Sequence, residues 1–411
     1  MKWQKSIKRV FDYSIRIDRK GARNNLKSNL LIIHGGGPTA VINSSLYGAI
    51  IEAGKHEEIG CVYGALGGTA GIFKENFIDF ATVPQHELEL LKQTPASSIG
   101  TSRTPLMPED YETMISIFIK HNIKYVLFNG GNGSMDTCGK LYHAAKKHGI
   151  CVVGIPKTID NDIAITDHCP GYGSAARFIA QTVTEISQDV RSMPIHVCII
   201  EAMGRNAGWI TAAAALAKKD EEAGPHLIYL PEIAFDEDAF LKDVKSLYDK
   251  YGHAVVVASE GLKKADGTPI VDPIFQTGRS TYFGDVGAHL AELVIKKLGI
   301  KARSEKPGIA GRSSIPYQSS VDREEAILAG AEACKAAIAE KTGIMIGFKR
   351  VSTSPYRIET IEIPIEDVML HERPMPKEFI SEDGKSVTAK FVEWCKPLVG
   401  GELPQFVWFN K

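Results

Sequence analysis

The sequence carries almost no net charge, no long apolar run and no paired cysteines. Its 48 lysines and arginines meet 49 aspartates and glutamates, for a formal net charge of −1. That balance removes any whole-molecule electrostatic case for nucleic acid or an anionic membrane as partner. No apolar stretch approaches the ~20 residues that span a bilayer. The seven cysteines (Cys61, Cys138, Cys151, Cys169, Cys198, Cys334 and Cys395) are scattered and odd in number, with no CxxC pair. This argues against a disulfide scaffold or a zinc site, and for a reducing cytoplasm. Residues 1–28 are basic but lack the apolar segment of a secretion signal, so they are expected to form a basic arm packing on the body. A mitochondrial presequence is the alternative, weakened by Asp12 and Asp18.

What is present is alternation. At about 100–200 residues per domain, 411 residues hold two to three domains' worth of chain. Short β-rich runs at Leu30–His34, Tyr125–Asn129, Cys151–Ile155, Val197–Glu201, His226–Leu230 and Ala254–Ser259 are predicted strands. Between and after them, apolar residues recur three and four apart, which predicts helices over Val41–Ala53, Ser134–Lys147, Asn206–Ala217, Asp238–Tyr248, Val286–Leu298 and Arg323–Lys341. Continuous apolar strands alternating with helices imply an α/β fold with mainly parallel sheets covered on both faces. A boundary between two lobes is expected near 155–200. Residues 351–411, richer in proline and with an alternating run at Ile358–Ile363, are read as a C-terminal extension. Ligands of such folds bind at the carboxyl ends of strands, and the motifs fall there.

Two glycine-rich turns follow strands: His34-Gly35-Gly36-Gly37-Pro38 and Asn129-Gly130-Gly131-Asn132-Gly133-Ser134. Such turns let backbone N–H groups approach an anion, aided by the helix N-terminus that follows. Neither fits the GxGxxG or GxxxxGK[ST] pattern, and a tight strand–helix turn explains either one alone. A third segment, Pro156-Lys157-Thr158-Ile159-Asp160-Asn161-Asp162, places two carboxylates two residues apart, on one side if the segment is extended. One carboxylate can take a proton from a hydroxyl while the other holds Mg²⁺ or substrate, and Lys157 can neutralise charge on a transferred phosphoryl group. Solvated aspartates in a polar turn are the bland reading. Arg205, in Met203-Gly204-Arg205-Asn206-Ala207-Gly208-Trp209, can fork onto a phosphate, and Gly204 permits close approach. An unpaired surface arginine is the alternative for Arg205, and Arg303 and Arg312, flanking Pro307-Gly308, form a candidate phosphate clamp on spacing alone.

Together and in this order, these segments resemble the phosphofructokinase family, over about residues 30 to 350, with PKTIDND and MGRNAGW the most specific. Lys157, the run His168-Cys169-Pro170-Gly171-Tyr172-Gly173 and the C-terminal extension resemble the pyrophosphate-dependent group. The resemblance implies two Rossmann-like lobes over 29–350 (donor lobe about 29–160, acceptor lobe about 161–350, interleaved), flanked by the arm and the extension. It implies Mg²⁺-dependent phosphoryl transfer to the 1-hydroxyl of fructose 6-phosphate, in a homodimer or homotetramer, because related clamps borrow basic residues across a subunit interface. By the same resemblance, Asp160 is the general base, with Asp162 beside it. Thr158, Met203, Gly204 and Arg205 make sugar-phosphate and transition-state contacts. Glu260 holds the sugar, and Arg303 and Arg312, with His196, hold the 6-phosphate. Gly36, Tyr63, Arg103, Gly131, Gly133 and Ser134 form the donor site. Asn132 stands where many relatives carry a metal-associated aspartate.

The departures bear on substrates. Position 133 is typically aspartate in pyrophosphate users; Gly133 removes its bulk and its like-charge repulsion with a nucleotide phosphate. Thr137 opposes this, standing where ATP enzymes keep a glycine against adenine, and Lys157 occurs in both groups. A buried carboxylate against phosphate is the costlier obstacle, so ATP is the expected donor and pyrophosphate the alternative. His196 replaces a residue often seen as arginine and Ile309 replaces a histidine, which leaves room for a related acceptor such as sedoheptulose 7-phosphate. The rivals are another kinase chemistry on the same loops, as in NAD and lipid kinases, and a non-catalytic regulatory subunit.

Overall fold

The computed structural model describes residues 27–277 and 280–409, so the expected arm at 1–28 lies almost wholly outside the described residues. The chain opens with five strands of one sheet: β1 (Ser28–His34), β2 (Ile59–Ala65), β3 (Phe77–Asp79), β4 (Ile123–Gly130) and β5 (Cys151–Pro156). A second sheet takes β6 (Val197–Ala202), β7 (Leu227–Tyr229) and β8 (Ala254–Ser259). A hairpin, β9 (Pro273–Thr277) and β10 (Ser280–Phe283), follows, then β11 (Ala302–Glu305), which joins the second sheet. The chain then returns to the first sheet with β12 (Ile344–Thr353) and β13 (Tyr356–Pro364). The sheets run β13-β12-β5-β4-β1-β2-β3 and β11-β6-β8-β7. The second is all parallel, whereas β3 and β13 pair antiparallel at the two edges of the first.

The continuous apolar runs have a direct cause. Leu30, Leu31, Ile32 and Ile33 of β1 are all fully buried, because alternate side chains enter two different cores. Leu31 and Ile33 join Val126 and Phe128 on one face, while Leu30 and Ile32 join Tyr125 and Leu127 on the other. The second face is covered by helix Ile42–Ala53 crossing helix Ser320–Ile338. Their backbones meet at two glycines: a Cβ at Gly48 would lie 2.0 Å from the Ile327 oxygen, and one at Gly330 would lie 1.9 Å from that of Ser45.

The expected boundary at 350 falls inside β12, so the C-terminal region begins as part of the sheet. Beyond β13 it packs Phe379, Phe391 and Trp394 against Trp209 and Tyr172, with Trp394 and Trp209 centred 5.0 Å apart. Phe391 is fully buried, and truncating a ring so placed to alanine costs about 3–5 kcal/mol. No helix among the described residues is long and apolar enough to cross a membrane.

Candidate active site

The two glycine turns end adjacent parallel strands, β1 and β4, and they touch. A Cβ on Gly35 or Gly130 would fall 2.3 Å or 2.2 Å from the Ser134 hydroxyl, so neither position admits a side chain. Gly36 has φ +74°, and its N–H donates to the Ser102 carbonyl at 3.2 Å. That contact draws the segment carrying Arg103 over the turn. Helix Asn132–Ala145 starts within the second turn, so its unpaired N–H groups and positive dipole end face the same rim.

The 157–162 segment follows β5, beside β4, and its first residue is stitched to the second turn (Lys157 N–H to Gly130 O, 3.0 Å). The buried Lys157 ammonium donates to the carbonyls of Gly35 at 3.0 Å and Gly37 at 2.5 Å. Burial brings its pKa down to about 8; Asp160 opposes that fall while Arg312 and Arg103 add to it. Burial raises Asp160 to about 7, with Asp162 and Glu260 pushing the same way and Lys157 and Arg312 holding it back. Asp162 is also raised by burial, with the charge of Glu372 adding to it.

The two carboxylates do not share a side of an extended strand, as the spacing suggested. Asn161 between them has φ +54°, a left-handed conformation that asparagine tolerates because its short side chain bonds locally. Here its Oδ1 accepts from the Cys169 N–H at 3.0 Å. Asp160 N–H donates to the Thr158 hydroxyl at 3.0 Å, and that hydroxyl lies 3.3 Å from Asp162 Oδ1. A compact turn, rather than strand alternation, therefore brings Asp160 and Asp162 together.

The arginines redistribute. Arg312 lies beside the first glycine turn: a Cβ on Gly37 would meet its Nη1 at 2.8 Å and Arg103 Nη2 at 3.5 Å. Arg303 does not accompany it. It pairs with Cys198 at the amino end of β6, whereas Met203 and Gly204 follow the carboxyl end, about 13 Å further at ~3.3 Å per residue. From Arg303, β11 runs parallel to β6 and carries the chain to the carboxyl end, where Pro307 and Gly311 line a cavity with Met203, and this separates the two arginines expected to form one clamp. Arg303 instead neighbours His196, whose pKa is lowered by burial and then by the charges of Arg303 and Lys301. Neither ring nitrogen of His196 has a hydrogen-bond partner among the described residues.

Arg205 also departs from expectation. Its guanidinium donates to the Thr281 carbonyl at 3.1 Å and lies over the Phe283 ring, engaging the β9–β10 hairpin. Gly204, with φ +116°, donates its N–H to Glu260 Oε1 at 3.2 Å, placing Glu260 beside Met203. Met203 lines a small apolar cavity with Ile159, Phe178, Pro307 and Gly311. Tyr63 sits back from the rim, pairing with Leu31 and packing on Phe77, and burial pushes its pKa up to about 12. A Cβ on Gly133 would meet nothing within 4 Å among the described residues, and one on Gly131 would lie 3.3 Å from Lys157 O. The side-chain oxygen of Asn132 is buried without a partner among the described residues, while its amide donates to the Asp162 carbonyl at 3.3 Å.

Sequence reasoning overlooked Asn161, whose place between two aspartates was the available signal for a left-handed turn. It also overlooked Arg373, which grips the same turn from the C-terminal region and leaves no local pattern.

The chain resembles known proteins along most of its length. Residues 29–337 match the family described as Phosphofructokinase. The chain is similar to a pyrophosphate–fructose 6-phosphate 1-phosphotransferase of Rhodospirillum rubrum, 38% identical over 391 residues, covering 92% of this chain and 96% of that one. It is similar to a sulfofructose kinase of Alkalicoccus urumqiensis, 33% identical over 90% of this chain and 94% of the other. Among solved structures, a pyrophosphate-dependent phosphofructokinase from Nitrosospira multiformis superimposes with a TM-score of 0.84 at 35% identity, covering 94% of this chain and 95% of that one.

Proposed function

This chain belongs to the phosphofructokinase family, and on that premise we propose that it transfers a phosphoryl group from pyrophosphate to the 1-hydroxyl of fructose 6-phosphate, releasing phosphate and fructose 1,6-bisphosphate. The observation that carries the chemistry is the convergence of Lys157, Asp160, Arg103 and Arg312 on two touching glycine turns. The pyrophosphate donor draws support from the names of the Rhodospirillum and Nitrosospira relatives.

In this reading the donor lies on the glycine-turn amides, with Lys157, Arg103 and Arg312 around its charge. Asp160, raised to about 7, takes the proton from the sugar hydroxyl as that oxygen attacks the donor phosphorus in line. The cations and amides offset the charge that spreads over the equatorial oxygens during transfer. Glu260, Met203, Gly204 and Thr158 orient the sugar so that its 1-hydroxyl meets Asp160.

The site fits Mg²⁺ held mainly by substrate phosphates, as is usual for that ion. The unpartnered Asn132 oxygen and the Asp162 carboxylate are the protein atoms suited to it. Among the described residues no three His, Cys, Asp or Glu side chains form a metal cage by themselves. When bound, Mg²⁺ supplies charge neutralisation across the donor phosphates.

His196 and Arg303 lie away from Asp160 within the chain, which supports a homo-oligomer in which they bind the sugar 6-phosphate for a second copy. The seven free thiols support a cytoplasmic setting. ATP is the second reading, favoured by the open space at Gly133. A donor comparison with fructose 6-phosphate at equal Mg²⁺ tests both: saturable turnover with pyrophosphate and little with ATP is expected, and turnover with ATP alone would reverse the assignment.

A further inference from the structure

The catalytic turn is held by a residue far away in sequence. Arg373, 212 positions beyond Asn161, directs Nη2 to the Asn161 carbonyl at 2.8 Å, with Nε at 3.3 Å from the same oxygen. Its Nη1 donates to the carbonyls of Thr166 at 2.5 Å and Asp167 at 2.9 Å. Its backbone N–H donates to the Asp162 carbonyl at 2.7 Å. One residue thus bonds both peptide oxygens following Asp160 and, through the same fork, the far end of the 161–167 loop.

The neighbours fix Arg373 in turn. Its guanidinium lies 4.7 Å above the Trp209 ring, and Trp209 Nε1 donates to its carbonyl at 3.3 Å. The preceding residue, Glu372, bridges Ile163 in antiparallel register and accepts from Asn206 at 3.2 Å. Asn206 belongs to the MGRNAGW turn on the acceptor side, so the strap ties that turn to the loop carrying Asp160 and Asp162.

We infer that Arg373 is a positioning residue for phosphoryl transfer: it holds the left-handed turn at Asn161 and thereby sets the direction of the Asp160 carboxylate. A guanidinium has five N–H donors in a rigid fork and no acceptor. Here the fork spans three carbonyls in two directions, and its face is covered by an indole. It is therefore committed to the backbone rather than free to bind a substrate phosphate. Lysine, a point charge on a flexible stem, cannot reproduce that fork. This inference rests on the reading of Asp160 as the general base and assigns the C-terminal region a part in that same site.

The test uses the full-length protein with pyrophosphate and fructose 6-phosphate, comparing Arg373→Met and Arg373→Lys, each alone and combined with Asp160→Asn. A misplaced catalytic group costs about 10²-fold in rate, so Arg373→Met should lower kcat by about that factor while both KM values stay within about threefold. In the Asp160→Asn background the same substitution should cost nothing further, because there is no carboxylate left to direct. A merely structural role would not vanish with Asp160. Melting curves identify an unfolded Arg373→Met, in which case Arg373→Lys is read by the same criteria, with a loss of about 10-fold or more expected from the missing fork. Near-normal kcat in the variants, a rise confined to KM, or an equal loss with and without Asp160 would each overturn the inference. Near-normal turnover of Asp160→Asn alone would instead remove Asp160 from the base role, a separate failure.

Discussion

The ammonium of Lys157 and the carboxylate of Asp160 restrain each other's titration inside one short turn. Burial raises Asp160 to about 7, and Lys157 is the first of the groups that resist this rise. Burial lowers Lys157 to about 8, and Asp160 is the first of those that resist that fall. The result is a base that accepts a proton near neutrality beside a cation that survives to about the same pH. That combination suits transfer from a sugar alcohol to an anionic donor.

The pH profile follows from the signs. Asp160 works as carboxylate, so kcat/KM should fall as pH drops through about 7. Lys157 works as ammonium, so a second fall is expected as pH rises past about 8. In Lys157→Met the alkaline limb should disappear. The acid limb of the residual rate should move to higher pH, since the cation that held the carboxyl down is gone. An acid limb left near 4 in the wild type would show that Asp160 is not the titrating base.

Asp160→Asn keeps the shape of the side chain and removes the base. A positioned base contributes about 10²–10⁴-fold, so kcat should drop by that order while fructose 6-phosphate binding, read by calorimetry, stays nearly unchanged. A large loss of sugar binding with kcat preserved would assign Asp160 to the substrate rather than to the proton.

Much of this architecture was legible because parallel strands buried on both faces must be written as unbroken apolar runs, and β1, β4, β5, β6 and β8 are. The glycine turns were legible for an equally local reason: Gly35 and Gly130 leave no room for a Cβ beside Ser134. Helix Tyr172–Ser192, the longest among the described residues, was not foreseen, because it opens on Tyr172-Gly173-Ser174, weak helix formers. What also escaped was everything set by pairing between segments distant in sequence. Nine positions separate Arg303 from Arg312, but β11 runs parallel to β6 between them and leaves them at opposite ends of that strand. Arg205 answers to a hairpin from later in the chain. The strap at Arg373 writes no period, motif or composition into its own segment, since what it recognises is backbone carbonyl oxygen.

Position 133 offers a direct handle on the donor. A Cβ there has open space around it, and the position lies within helix Asn132–Ala145, so Gly133→Asp should fold normally. With pyrophosphate as donor, the variant should retain turnover within about 10-fold. Any side activity with ATP should be abolished, because an added carboxylate repels a further phosphate across a few ångströms of low-dielectric site. Equal losses with both donors would place Gly133 outside the donor path.

The placement of Arg303 carries the sharpest expectation about assembly. If Arg303 and His196 serve the Asp160 of a second copy, Arg303→Met should raise KM for fructose 6-phosphate by about 10–100-fold, the scale of one lost hydrogen bond from a charged group. Asp160→Asn should instead abolish kcat. Co-refolding the two variants then separates the arrangements. In a two-fold dimer each hybrid holds one site with both lesions and one with neither, so a random equal mixture should recover about a quarter of the wild-type activity per site at low substrate. Were Arg303 and Asp160 to serve the same site within one chain, every site in the mixture would keep one lesion. Activity would then be no more than the mean of the two separate variants. Recovery above that mean, growing with time of subunit exchange and absent when each variant is incubated alone, is the expected result.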